Sequence, residues 1–179
     1  MATTSSSAAR RLRISRLRDW KASSAQLLCL ATPAPSVKKS AAVSPRKTVI
    51  VDAGPLKAAI DAGDVDHAWA VKALREVPAR FVTCEAAIAE AQHGLDNHPV
   101  AVRALRRLVA RMDVISFAAL GLAPVFDEIE RWAPRMDFAD ACAVVLARCY
   151  ANAFVLTTDF RDFSAYRVPF AAPEGAFHL

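Results

Sequence analysis

The chain lacks several features that would each have set a different direction. It has only five glycines in 179 residues, and none falls in a Gly-rich phosphate loop. That argues against a dinucleotide-binding or nucleotide-hydrolysing strand-turn-helix. It has no CxxC pair, and Cys29, Cys84, Cys142 and Cys149 are scattered. Neither a zinc site nor a disulfide framework is expected, so these cysteines read as small core hydrophobes. His67, His93, His98 and His178 are also dispersed, and none is assigned a catalytic role. No apolar run reaches the roughly 18–20 residues of a membrane-spanning helix. The longest, residues 139–156, is broken by Asp140, Arg148 and Asn152. No membrane partner is expected.

Acidic residues are nearly missing from the first 47 positions, which hold ten Lys/Arg and the single acid Asp19. The net charge of +5 therefore belongs to this leader, and the remainder carries 13 basic residues against 17 acidic ones. A nucleic-acid function cannot be argued from overall charge; it has to explain why the body keeps surplus carboxylates. Residues 1–46 are rich in Ser, Ala and Arg and end in a Pro/Ser/Lys stretch. Three readings stay open for them: a transit peptide to an organelle, a basic arm on RNA phosphates, or a tail without a role. The folded domain is expected over 47–179, cytoplasmic unless the leader is a transit peptide.

From Thr48 the pattern becomes regular. Thr48-Val49-Ile50-Val51 predicts a short strand, and Pro55 suits the first turn of a helix directly after it. Helical spacing recurs over residues 66–77, with Trp69, Ala70, Ala73, Leu74 and Val77 on one side. Arg80-Phe81-Val82 reads as a second strand, with Thr83 as cap of a helix over 84–93. A helix from Pro99 to Arg111, a strand at Val114-Ile115, and helices over 122–132 and 138–152 follow. Phe154 to Thr157 reads as a fourth strand and Val168 to Phe170 as a fifth. Such alternation predicts a parallel α/β sheet with helices on both faces. Sites in these sheets form past the carboxyl ends of the strands.

That rule directs attention to four acids. Asp52 follows the first strand and Asp159 follows the fourth, although each could simply cap its own turn. Asp137 and Asp140 lie three apart. Asp137 reads largely as a helix cap, whereas Asp140 sits among Ala139, Ala141 and Ala143, which leave room for a carboxylate. Glu85 and Glu90 are separated by about 140° around a helix, so at most one faces a given site. Glu85 is explained by the helix dipole. Glu90, beside Ala86, Ala87 and Gly94, projects from a smooth, packable face with no basic residue near it. Two carboxylates 4 Å apart repel by roughly 4 kcal/mol at an effective dielectric near 20. If the four converge, they must take up protons or a hard cation such as Mg²⁺ or Mn²⁺.

Read in order, these pieces resemble the PIN domain family, and within it the VapC-type toxin ribonucleases. The residues are Val49-Ile50-Val51-Asp52-Ala53-Gly54-Pro55-Leu56, then Thr83 to Ala89-Glu90, Ala139-Asp140-Ala141, and Leu156-Thr157-Thr158-Asp159-Phe160-Arg161-Asp162-Phe163. The resemblance covers about 48–170. It implies a three-layer α/β/α sandwich with a short, mainly parallel sheet. It implies that Asp52, Glu90, Asp140 and Asp159 hold Mg²⁺ or Mn²⁺ for hydrolysis of RNA phosphodiester bonds. Asp137 and Asp162 would be outer helpers, and Thr157 would orient a bound water. A homodimer and a small antitoxin partner are implied as well. An arginine stripe, Arg103, Arg106, Arg107 and Arg111, is a candidate substrate surface and equally a solvated helix face. The alternatives are an RNA-processing nuclease without an antitoxin and a catalytically silent PIN-like binding module.

Overall fold

The computed structural model describes residues 47–178, so the basic leader over 1–46 and its three readings lie outside the described residues. Six strands form one sheet: β1 (Thr48–Val51), β2 (Arg80–Cys84), β3 (Asp113–Ile115), β4 (Ala153–Leu156), β5 (Phe170–Ala172) and β6 (Gly175–His178). Their order is β3-β2-β1-β4-β5-β6. The first five are parallel, and β6 returns antiparallel on β5.

Every residue of the central strands β1 and β4 is buried. Continuous apolar runs of this kind belong to parallel strands covered on both faces. The cover comes from helices α1 (Ala53–Ala58), α2 (His67–Glu76), α3 (Glu85–Gly94), α4 (Pro99–Val109), α5 (Phe117–Leu120), α6 (Leu122–Trp132), α7 (Phe138–Cys149) and α8 (Phe160–Phe163). The chain is an α/β protein with a helix-flanked, mainly parallel sheet, as the strand-helix alternation predicts. No helix among the described residues is long and apolar enough to cross a membrane.

Helix α7 shows how sequence sets the architecture. Its residues 141–147 are all buried, a helix apolar around most of its circumference. Ala139, Ala141, Cys142, Ala143 and Ala147 are small enough for it to lie against β1, β2 and β4 while Val144 and Leu146 fill the gaps. Burying side chains of the latter size stabilises by about 1.5–3 kcal/mol each.

Several local expectations change. Thr83 does not cap a helix. Helix α3 begins at Glu85 with Cys84 at the cap position, and the buried Thr83 hydroxyl instead donates to the Val51 carbonyl at 2.8 Å. A threonine at a strand end can satisfy a neighbouring strand as readily as a helix end, and burial decides for the former. The fifth strand falls two residues later than Val168. Helices α2, α4 and α7 stop short of Val77, Arg111 and Asn152. Cys84 and Cys142 are buried as expected, but Cys149 is exposed. Helix α5 and strand β6 have no clear pattern in the sequence.

Candidate active site

The register of β1 on β4 builds the centre of the site. Val51 stands beside Leu156, and the Asp52 N–H donates to the Leu156 carbonyl at 3.0 Å. Asp52 and Thr157 are thus placed side by side where two adjacent strands end. The Asp52 carboxylate is buried, with 6% of its surface exposed. Its Oδ1 accepts from the Ala53 N–H at 2.7 Å and its Oδ2 from the Thr157 hydroxyl at 2.8 Å. Thr157 accepts in turn from the Asp159 N–H at 2.9 Å. The threonine therefore ties the first acid to the fourth. Its hydroxyl is engaged on both sides, donating to Asp52 and accepting from Asp159.

Asp140 enters from the start of α7. Its N–H donates to Asp137 Oδ1 at 2.9 Å, so Asp137 caps the helix as predicted. Its Oδ2 accepts from the Tyr166 hydroxyl at 3.0 Å. Asp159 caps α8 by accepting from the Asp162 N–H at 2.8 Å, and the Asp162 carboxylate pairs with Arg135 at 3.1 Å. Glu90, on the packable face of α3, is itself exposed, as are Asp137 and Asp159. Glu85 faces elsewhere and accepts from the Phe117 N–H at 3.0 Å. His67 is structural, its Nδ1 sitting 2.7 Å from the Ala58 carbonyl.

The acids feel one another. Burial first, then the Asp137 and Asp159 charges, push the Asp52 carboxyl from 3.8 to about 6, against the lowering effect of Ala53 and Thr157. Burial, followed by Asp52 and Asp137, pushes Asp140 to about 8, with the Tyr166 bond opposing. Glu90 rises from 4.5 to about 7 through desolvation and the charges of Asp137 and Asp52. Four acids named from sequence are thus joined electrically, with Asp52 common to all. Asp137, given above as an outer helper, interacts with Asp52, Glu90 and Asp140 alike. Among the described residues no lysine or arginine pairs with Asp52, Glu90, Asp137, Asp140 or Asp159.

A pH dependence follows from these values. Between about pH 4 and pH 8 the folded chain retains protons that the unfolded chain releases, so stability falls as pH rises across that window. In EDTA the urea midpoint should be lower at pH 8 than at pH 5, and added Mg²⁺ should recover it at pH 8. A flat profile would mean that neither burial nor like charge raises these carboxyls.

The donor set suits a hard divalent cation: carboxylate oxygens only, without sulfur or imidazole. Among the described residues, however, no three His, Cys, Asp or Glu side chains stand in an arrangement that would hold one ion together. Asp52 and Asp140 are fixed by hydrogen bonds. Closure around an ion would fall to the exposed Glu90, Asp137 and Asp159.

Gly54 explains one position of the opening motif. A Cβ there would lie 2.0 Å from the Thr158 hydroxyl oxygen and 3.1 Å from its Cβ. Gly54→Ala should displace Thr158 and with it Asp159, costing roughly 1–3 kcal/mol by overpacking. Thermal melts check this: Thr158→Ala in the same chain should recover most of the loss.

None of the four arginines of the candidate stripe forms an ion pair with the acids among the described residues. Arg103, Arg106, Arg107 and Arg111 are all exposed. Arg107 and Arg111 line a 430 Å³ cavity with Arg75, Phe81 and Met112, at the edge where the strands begin. The residue that sequence reading missed is Tyr166. Nothing local marks it, because its partner lies 26 positions away.

The fold is similar to that of Mycobacterium tuberculosis VapC20, a sarcin-ricin loop cleaving toxin. The TM-score is 0.55 and the identity 21%, over 65% of this chain and 94% of that one. At that identity the likeness shows a fold shared with that protein and nothing about chemistry. No protein-family model and no curated protein matches the chain in sequence.

Proposed function

We propose that the chain is a metal-dependent endoribonuclease, with Asp52, Glu90, Asp140 and Asp159 holding Mg²⁺ or Mn²⁺ at the carboxyl edge of the sheet. The observation that carries this is the buried Asp52. It sits among four further carboxylates, and no cationic side chain pairs with any of them among the described residues. A fold that keeps a carboxylate there against desolvation and like charge is one that expects a cation.

A divalent ion in this place would lower the pKa of a water and offset charge gathering on the scissile phosphate. The chain's own contribution is orientation. Thr157 and the Ala53 N–H fix both oxygens of Asp52, so its geometry is set before any ligand arrives. Asp137 and Asp159 cap α7 and α8 and so stand at the mouth of the site with Glu90. That open side is where an RNA strand would approach. We take the partner to be RNA, with a small antitoxin protein and a second copy of the chain in keeping with the VapC-like fold, and the setting to be cytoplasmic. Asp162, paired with Arg135, serves by steadying Asp159.

One observation favours a second reading, a PIN-like binding module without catalysis: among the described residues no three donors already stand in ligand geometry. Incubating the full chain with transfer, ribosomal and messenger RNA in Mg²⁺, Mn²⁺ or EDTA separates the two. Cleavage that requires the ion supports the nuclease. Inactivity on all three RNAs, with no ion bound by calorimetry, supports the silent module.

A further inference from the structure

We infer that Tyr166 is a positioning residue of this site, its hydroxyl fixing the Asp140 carboxylate so that one oxygen stays available to a cation. The inference rests on the nuclease reading above and adds a residue that reading does not include. Tyr166 is among the largest fully buried side chains, at 0% exposure. Its ring is wedged by Phe163, centroids 5.3 Å apart at 72°, and by Trp132, 5.8 Å apart at 56°. The aromatic packing leaves the hydroxyl little freedom, and it points at Asp140 Oδ2 at 3.0 Å.

A buried tyrosine hydroxyl usually finds some partner. Here the partner is a carboxylate of the acid cluster, when a backbone carbonyl would have satisfied the hydroxyl equally well. Asp140 is then held from both ends. Its N–H is tied to Asp137 and its Oδ2 to Tyr166, which leaves Oδ1 as the oxygen to present. Carboxylate ligands are commonly oriented in this way by a hydrogen bond from outside the ligand set.

The test is Mn²⁺ affinity of the full chain, by calorimetry, in Tyr166→Phe, Asp140→Asn and the double variant. Tyr166→Phe should weaken Mn²⁺ binding by about 10-fold, the size typical of such outer contacts. The double variant should bind no worse than Asp140→Asn alone, since the hydroxyl acts only through that carboxylate. Leu105→Ala, which opens a cavity in the core away from this ring cluster, should lower the melting temperature and leave affinity unchanged. Loss of cleavage in Tyr166→Phe should be recovered by raising Mg²⁺.

A second measurement needs no variant. The chain has two tyrosines, and the other, Tyr150, lies 5.5 Å from Arg80 where the strands begin. With 3-fluorotyrosine incorporated, Mg²⁺ should move the fluorine resonance of Tyr166 and not that of Tyr150. Unchanged Mn²⁺ affinity in Tyr166→Phe, full additivity with Asp140→Asn, or a silent Tyr166 resonance while Mg²⁺ binds would overturn the inference and leave the nuclease reading intact. If the wild-type chain binds neither ion, the nuclease reading fails and the inference falls with it.

Discussion

Asp52→Asn should cost at least about 10³-fold in the rate of RNA cleavage while making the metal-free chain harder to melt. The two effects have one cause. Asp52 is the acid whose charge reaches every other member of the cluster. On the nuclease reading proposed above, removing it takes away an oxygen that would hold the cation and that two hydrogen bonds keep in place. Loss of a preorganised electrostatic contact to a reacting group commonly costs 10²–10³-fold, and a direct ion ligand belongs at or above the upper end. For the metal-free fold the sign reverses. A carboxyl moved from 3.8 to about 6 corresponds to about 3 kcal/mol of native-state penalty at pH 8, at about 1.4 kcal/mol per pH unit. Asparagine removes that penalty. It also loses one of two hydrogen bonds, because only its amide oxygen can accept and its amide nitrogen leaves either the Ala53 N–H or the Thr157 hydroxyl without an acceptor, at a cost of about 1 kcal/mol. A net gain of about 2 kcal/mol should raise the melting temperature at pH 8 by roughly 4–8 °C. At pH 4 the wild-type carboxyl is largely protonated and the gain should vanish. Melts at the two pH values and a cleavage time course measure all of this. An Asp52→Asn chain that cuts RNA normally would place the chemistry elsewhere.

What could be read in advance was whatever local sequence controls. Strand β1 is a run of four apolar or β-branched residues ended by Asp-Ala-Gly-Pro. A strand so ended must place its following side chain at the sheet edge, so Asp52 was legible. Asp137 was legible as a cap because an Asp before an alanine-rich helix has a local donor to satisfy. Long-range relations were not. Thr83 looked like a cap because sequence offers it no sight of the Val51 carbonyl, 32 residues away. Tyr166 sits in a turn with no periodicity, and only the folded chain brings it to Asp140. Glu90 was legible as projecting from a face of small residues, but its exposure and its coupling to Asp52 and Asp137 arise only in the folded chain. The arginines at 103, 106, 107 and 111 read equally as a substrate surface or a solvated helix face, and the fold sets Arg107 and Arg111 beside Phe81 and Met112, where β2 and β3 begin.

The largest stability effect expected in the described residues is also one that no local pattern suggests. Glu128 on α6 is buried, at 5% exposure. Its carboxylate accepts from Arg131 at 3.1 Å, from the Trp132 indole N–H at 3.2 Å, and from Arg148 on α7. This one carboxylate joins α6 to α7, and Trp132 then packs on Tyr166. Glu128→Ala should remove three hydrogen bonds, two of them to charged groups, and leave the indole N–H without its acceptor. Hydrogen bonds to charged groups contribute about 1.5–3 kcal/mol each. The arginines are 58% and 39% exposed and can turn to water, so the sum is discounted to about 3 kcal/mol. That corresponds to a melting temperature lower by roughly 6–12 °C. Arg148→Ala should cost less than half as much, because Glu128 keeps Arg131 and Trp132. Cleavage at 20 °C should survive Glu128→Ala within about tenfold, since none of the acids touches Glu128 and the ring contact with Tyr166 is an indirect path. Chemical denaturation of the two variants decides. Equal losses would assign the stability to the Glu128–Arg148 pair alone and not to a carboxylate shared by two helices.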